Sequence, residues 1–373
     1  MSDIHPQNVV NFTAGYVDGE IKFGPYKQEE VPPAYGELRW YGRDGQYTSL
    51  TVSTGQLYAF GSNGTFLPLR NLNTSATLTN CFRSWSDFTV PQGINFAACT
   101  NSGYMFYECQ RFVIPEQEVL FPKVTSASYM FAYAQSSVIP KFSTAKLQTA
   151  TYMFQNAKNL EVKGIDFQYV ANASYMFSGS NNVRLPAGTV LKPSTADYCF
   201  NGSTFAFPKD MIFEPTGSAQ WLFAQSTRIT QWPDNITLSK ATNLFTLFHE
   251  NTANLIAGVP DTLTCESATN CEYMFNNCRP YDQATGKYQR LQHLPSALNL
   301  KKATSLYQFA TGCALDLDSL QRLANMLPTY TSGTHNCTLG INKEIQTDPD
   351  VATAIAAIRA KGWTVSVTFN ALL

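Results

Sequence analysis

The chain has 373 residues, 26 Lys and Arg against 27 Asp and Glu, a net charge of −1, and 14% charged residues, against roughly 25% in ordinary soluble domains. That balance supplies no basic face for nucleic acid, and no run approaches the ~18 apolar residues of a membrane helix. With 13% aromatic residues, including 25 Phe and 19 Tyr, the chain reads as soluble and aromatic-rich.

In chain order, residues 1–6 lack the basic and apolar regions of a secretory signal. Either that export route is not used or the sequence is a mature form. Residues 1–36, with Pro25, Pro32 and Pro33, read as an extended arm that orders on a partner. Residues 37–74 read as a β meander that caps the first repeat: segments 47–52, 56–60 and 65–69 alternate like strands, and Asn63-Gly64 is a hairpin signal.

From 75 to 312 the sequence repeats. Three copies of one phrase stand out: Ala127-Ser128-Tyr129-Met130-Phe131, Ala150-Thr151-Tyr152-Met153-Phe154 and Ala173-Ser174-Tyr175-Met176-Phe177. Looser copies extend the series, and the aligned phenylalanines are Phe82, Phe106, Phe131, Phe154, Phe177, Phe200, Phe223, Phe248 and Phe275, spaced by 24, 25, 23, 23, 23, 23, 25 and 27 residues. Phe245 is an alternative to Phe248, and a tenth, degenerate copy from Ala303 places Tyr307 at the Phe site. Units of this length cannot bury a core alone, so they must stack.

Each unit also carries a Φ-x-Φ segment six to eight residues after its Phe, often ended by proline, as in Phe112-Val113-Ile114-Pro115, Val183-Arg184-Leu185-Pro186 and Phe205-Ala206-Phe207-Pro208. Alternation closed by proline predicts a very short strand, which stacks in parallel with the next. Small or apolar residues at −4, 0 and +3 from Phe fit one helical face, predicting one or two helical turns behind each strand. Residues 313–373 predict a C-terminal cap that covers the open end. It comprises an amphipathic helix over 315–327 capped by Asp316 or Asp318, a strand over 338–341, a helix over 350–360 ended by Gly362, and a strand over 363–369.

The Ala-Ser-Tyr-Met-Phe phrase, the small residue or Cys three positions on (Cys109, Ala134, Ala157, Cys278) and the Φ-x-Φ-Pro strand resemble the BspA-type leucine-rich repeats, including the Met-Phe-rich variety of bacterial surface and phage proteins. The ending Ala360-Lys361-Gly362-Trp363-Thr364-Val365 is similar to that of such proteins in phages and gut bacteria. The fold class expected is α/β: a right-handed solenoid of about ten leucine-rich-like repeats of ~23 residues, with the meander before and the βα cap after. The resemblance implies a non-enzymatic interaction protein. One expectation is a phage virion component, a tail-fibre, tail-accessory or head-decoration element attached to other virion proteins through its N-terminal region and touching a host glycan or protein. The alternative is a bacterial cell-surface adhesin. Lys163 in place of the proline, the long segment after Phe248 and an inserted loop over 276–290 depart from the pattern.

Catalysis finds no support. His5, His249, His293 and His335 are scattered, read as surface residues, and form no HExxH, GxSxG or phosphate-loop motif. The nine cysteines include no CxxC pair, which argues against zinc and redox sites, so neither a metal nor a cofactor is expected and the thiols read as reduced and buried. The candidate binding residues are a column two positions before the key Phe, Tyr104, Tyr129, Tyr152, Tyr175, Tyr198, Trp221 and Tyr273. About 200° around a helix from an inward Phe, these rings point outward, suited to a carbohydrate face or a protein. The alternative is that each ring simply packs on the next. On the strand face, Thr89, Val113, Glu161, Arg184, Ala206 and Thr230 point away from the core, and Arg111, Arg184 and Arg228 are the candidate anchors.

Overall fold

The computed structural model describes residues 72–372 apart from 86–89, 91–94, 115–119, 143–145, 227, 252–262 and 283–285; before residue 72 it describes strand segments within 15–68. The side chains of those early strands, and of residues 228, 230, 281 and 282, lie outside the description. So do most of the 1–36 arm, Thr89, and the segment after Phe248.

Six strands precede the repeats: β1 Gly15–Val17, β2 Glu20–Lys22, β3 Gly36–Tyr41, β4 Tyr47–Val52, β5 Tyr58–Phe60 and β6 Phe66–Pro68. They pair antiparallel as β1 with β2, β3 with β4 and β5 with β6. Two expectations change here. Residues 15–17 and 20–22 of the expected extended arm pair as antiparallel strands, Val17 opposite Glu20, and the sequence between them, Asp18-Gly19, is a hairpin dipeptide. And β4 pairs back to β3 rather than forward to β5, so the three strands of the expected meander are not one run.

The repeated phrase is not helical. In the unit around Phe131, alternate N–H groups close tight turns inside the unit: Met130 donates to Ala127, Ala132 to Tyr129 and Ala134 to Phe131, at 3.1 to 3.2 Å. The intervening N–H groups reach the next unit, with Tyr129 donating to Thr151 (3.0 Å), Phe131 to Met153 (2.8 Å) and Tyr133 to Gln155 (2.7 Å). Alternation of this kind requires left-handed backbone at −2 and +2, and Tyr129 has φ 58° and Tyr133 φ 59°. Such a conformation is strained for a bulky residue, and the ladder bonds to the next unit offset it. The predicted helical turns are thus successive β-turns, which also bury positions −4, 0 and +3. A helical turn and this run of β-turns share the same burial pattern.

Stacking is continuous. Parallel bridges join Thr77 to Asn101, Ser126, Thr149, Asn172, Thr195, Ser218, Asn243, Asn270 and Ser305, one residue per unit. A second ladder holds the Φ-x-Φ segments, with β7 Gln135–Ile139 parallel to β8 Lys158–Val162 and Glu161 bridged to Arg184. A third pairs β9 Val190–Leu191 with β11 Ile212–Phe213 and β13 Asn235–Ile236, while β10 Thr204–Ala206 pairs with β12 Arg228–Gln231 in the second ladder. The inserted loop holds a small antiparallel pair, β14 Tyr281–Asp282 with β15 Lys287–Tyr288.

The core is a file of phenylalanine rings. Phe82 through Phe275 stack in turn, 5.2 to 5.7 Å apart and within 15° of parallel. Phe248, not Phe245, is the member of its unit. Position +3 is more than a small space filler: Cys109 Sγ donates to Phe82 O, Asn251 Nδ2 to Phe223 O and Cys278 Sγ to Phe248 O, at 2.7 to 2.8 Å. A thiol and an amide are interchangeable there because each caps the carbonyl of the Phe one unit back.

At the C-terminus, β16 Leu306–Leu315, β17 His335–Asn342 and β18 Trp363–Asn370 form a parallel sheet, connected by α1 Leu317–Met326 and α2 Pro349–Ala360. Asp316 caps α1 by accepting from Ser319 N at 2.9 Å. Gly362, φ 87°, turns the chain from α2 into β18. The tenth unit has a different register from that expected. Phe275 N donates to Phe309 O, Asn277 N to Thr311 O and Cys313 Sγ to Phe275 O, so Ala310 takes the Phe position and the exposed Tyr307 does not.

Candidate functional site

The tyrosine column lies outside the phenylalanine file. Because −2 is a left-handed turn residue, its side chain emerges on the opposite side of the backbone from the buried Met and Phe next in the phrase. All seven candidate rings, Tyr104, Tyr129, Tyr152, Tyr175, Tyr198, Trp221 and Tyr273, are half-buried. Tyr104, Tyr129, Tyr152, Tyr175 and Tyr198 stack in sequence 4.4 to 4.6 Å apart, and Trp221 continues the stack at 5.4 Å, all within 11° of parallel. The interior ring faces are therefore covered by one another, and the surface offered is one of edges and hydroxyls. A sugar ring cannot lie flat on these faces as the sequence alone suggested.

After Trp221 the stack breaks. Thr246 holds the −2 position, and the gap before Tyr273 is filled edge-on by His249, 5.5 Å from Trp221 and 6.5 Å from Tyr273 with both planes close to perpendicular. His249, read from sequence as a surface histidine, is 17% exposed. Its Nδ1 and the Thr246 Oγ1 are buried without a hydrogen-bond partner among the described residues. Tyr273 meets Phe245 and Tyr307 edge-on instead of stacking.

At the other end the column widens. Tyr107 lies 5.4 Å from Tyr104 and 6.5 Å from Tyr129. Tyr133, 39% exposed, sits 5.4 Å beyond Tyr107, and the Arg83 guanidinium covers the Tyr107 ring at 4.8 Å, a cation–π contact. Sequence reading missed these three residues. They occupy positions +1 and +2, which no helical count places beside −2. Burial pushes the Tyr129 and Tyr175 phenols up to about 12, with the neighbouring phenols of the column adding to the effect.

On the strand face the anchors do not converge. Arg111 is exposed at the head of its Φ-x-Φ segment, its N–H donating to Gln135 O at 3.0 Å. Arg184 lies three units further along, 3.5 Å from Glu161, which also pairs with Lys163 at 2.6 Å. The Lys163 ammonium, above all, holds the Glu161 carboxyl below its usual value. The Arg228 side chain lies outside the description. Val113 and Val138, bridged to each other and 53% and 46% exposed, give this face a small apolar patch. Among the described residues, no group of three or more His, Cys, Asp or Glu is placed to hold a metal ion, and no helix is long and apolar enough to cross a membrane.

An array of stacked aromatic units is thus the class of architecture to be placed. Residues 76–188 match a family described as a Mycoplasma protein of unknown function, DUF285. The match is compatible with the BspA-type resemblance and takes in the units from Phe82 to Phe177, under a third of the chain. No curated protein and no solved structure matches the chain significantly.

Proposed function

We propose that this chain is a non-enzymatic interaction scaffold, a right-handed solenoid of about ten units that presents a rigid surface to a protein or glycan. The observation that carries the reading is the unbroken aromatic column from Tyr104 to Trp221. The phenylalanine file already fills the interior, so the second file enlarges a surface. The three parallel ladders support the solenoid. A surface held by so many rungs binds with little rearrangement.

By resemblance the scaffold is a virion component, a tail-fibre, tail-accessory or head-decoration element made in the host cytoplasm and docked to other virion proteins through its N-terminal region. A second reading, a bacterial cell-surface adhesin, draws support from the matched family, whose description refers to a cellular organism. Quantitative mass spectrometry on density-purified particles and on envelope fractions of the source separates the two. A fixed copy number in particles fits the virion reading, and enrichment in the envelope fits the adhesin. Presence in neither overturns both.

A further inference from the structure

The tyrosine column repeats one weak contact many times, and that restriction bears on what it binds. An aromatic residue acting alone grips a sugar by its ring face, and here every interior face from Tyr104 to Trp221 is taken by the neighbouring ring. No single rung can hold a single sugar well. The column does offer a row of phenol hydroxyls, one from each of the stacked rings of Tyr104, Tyr129, Tyr152, Tyr175 and Tyr198. Parallel ladders fix the step between rungs at about 4.8 Å.

The borders of the row carry few charges: the Arg83 guanidinium lies at its head, 5.8 Å from the Tyr104 ring, and the rest is mainly polar and neutral. Position −3 is adjacent to it in sequence, and position +1 borders it in space, as the Tyr107 contacts demonstrate. Between Tyr129 and Tyr198 these borders carry Ser128, Thr151, Ser174, Gln155 and Asn201, all partly exposed. The one charged member is Asp197, whose oxygens accept from Ser218 Oγ and from the backbone and side chain of Gln220. Hydroxyl and amide groups with a single, hydrogen-bonded carboxylate among them between Tyr129 and Tyr198 match a polyhydroxyl ligand better than a charged polypeptide.

We propose that the column is a track for an uncharged linear polysaccharide lying along the ladder axis, one sugar to a rung. A β-1,4-linked pyranose chain fits, since its length per sugar is close to the rung spacing. The proposal rests on the reading of the column as a binding surface. Since each rung contributes little, affinity accumulates only when several sugars engage in register.

The test is calorimetric titration of the full chain with cello- and chito-oligosaccharides from dimer to octamer. For at least one series, affinity is expected to rise at least about tenfold, or ~1.4 kcal/mol, from tetramer to hexamer, and then to level off because six rings form the stack. Replacing Tyr152→Phe with Tyr175→Phe removes hydroxyls and keeps the rings. It should lower hexamer affinity about tenfold without moving the melting curve. No binding of either series, binding without length dependence, or hexamer affinity untouched by the double substitution overturns the proposal. A chain that is found in particles or envelope yet binds neither series keeps the functional reading and loses this one.

Discussion

The ring of Tyr152 lies flat on the ring of Tyr175, 4.5 Å between centroids and 11° between planes. Two residues further along, Phe154 and Phe177 stack at 5.2 Å on the buried side of the same backbone. A single unit therefore sends one ring inward and one outward, and the turn residue with φ 59° at Tyr152 separates them.

That separation sets what each side chain contributes. Tyr175→Ala removes two stacked contacts, with Tyr152 and Tyr198, and aromatic pairs are worth ~0.5–1.5 kcal/mol each. A loss of about 1–3 kcal/mol is expected in chemical denaturation. Tyr175→Phe keeps both contacts and should stay within about 0.5 kcal/mol of the parent. Equal losses for the two substitutions would place the stabilisation in the hydroxyl instead of the stack.

Alkaline pH should act on the column. Tyr129 and Tyr175 have folded-state pKa values of about 12 against about 10 in an unfolded chain. A phenol raised on folding contributes stability that is fully present below the unfolded value and is lost as pH rises through the folded one. Stability should therefore fall between about pH 10 and 12. Phenolate absorbance of the native chain should lag that of the denatured chain across this window, and coincident curves would refute the buried stack.

Sequence made the repeat legible and the turn illegible. Phe82 through Phe275 are identifiable from spacing because each occupies the same rung position, and their rings are one another's neighbours. The backbone of Tyr-Met-Phe is not identifiable, because consecutive β-turns and a helical turn bury the same −4, 0 and +3 residues. What distinguishes them is left-handed φ at Tyr and at +2, and residues such as Tyr133 and Glu250 give no warning of it. Among the +2 residues, glycine gives that signal at Gly179, Gly202 and, in the tenth unit, Gly312. For the same reason the Tyr107 and Tyr133 rings, and the place of Arg83 above them, could not be read from spacing. The tenth unit misled because Ala303 imitates the start of the phrase, whereas the backbone register runs through Ala310.

Thiol chemistry gives an independent check on packing. All nine cysteines are free, and eight are buried. Burial pushes the thiols of Cys109, Cys313 and Cys337 up to about 12, which suppresses the reactive thiolate. The native chain should react slowly with a thiol-specific reagent and the denatured chain promptly at every cysteine. Rapid labelling of Cys109 or Cys278 in the native chain would contradict their place behind the phenylalanine file.

The inward and outward placement of the two ring files is tested most directly by the equilibrium unfolding of Phe154→Ala and Phe177→Ala beside Tyr175→Ala. Both phenylalanines are fully buried between two ring neighbours, and truncating a buried Phe costs ~3–5 kcal/mol. Each unit leans on the next, so the loss should spread as raised hydrogen exchange in the units on either side. Either phenylalanine substitution is expected to cost more than Tyr175→Ala. Unfolding curves that leave both phenylalanine variants level with the parent, or with the tyrosine variant, would contradict the inward and outward assignment on which the binding column depends.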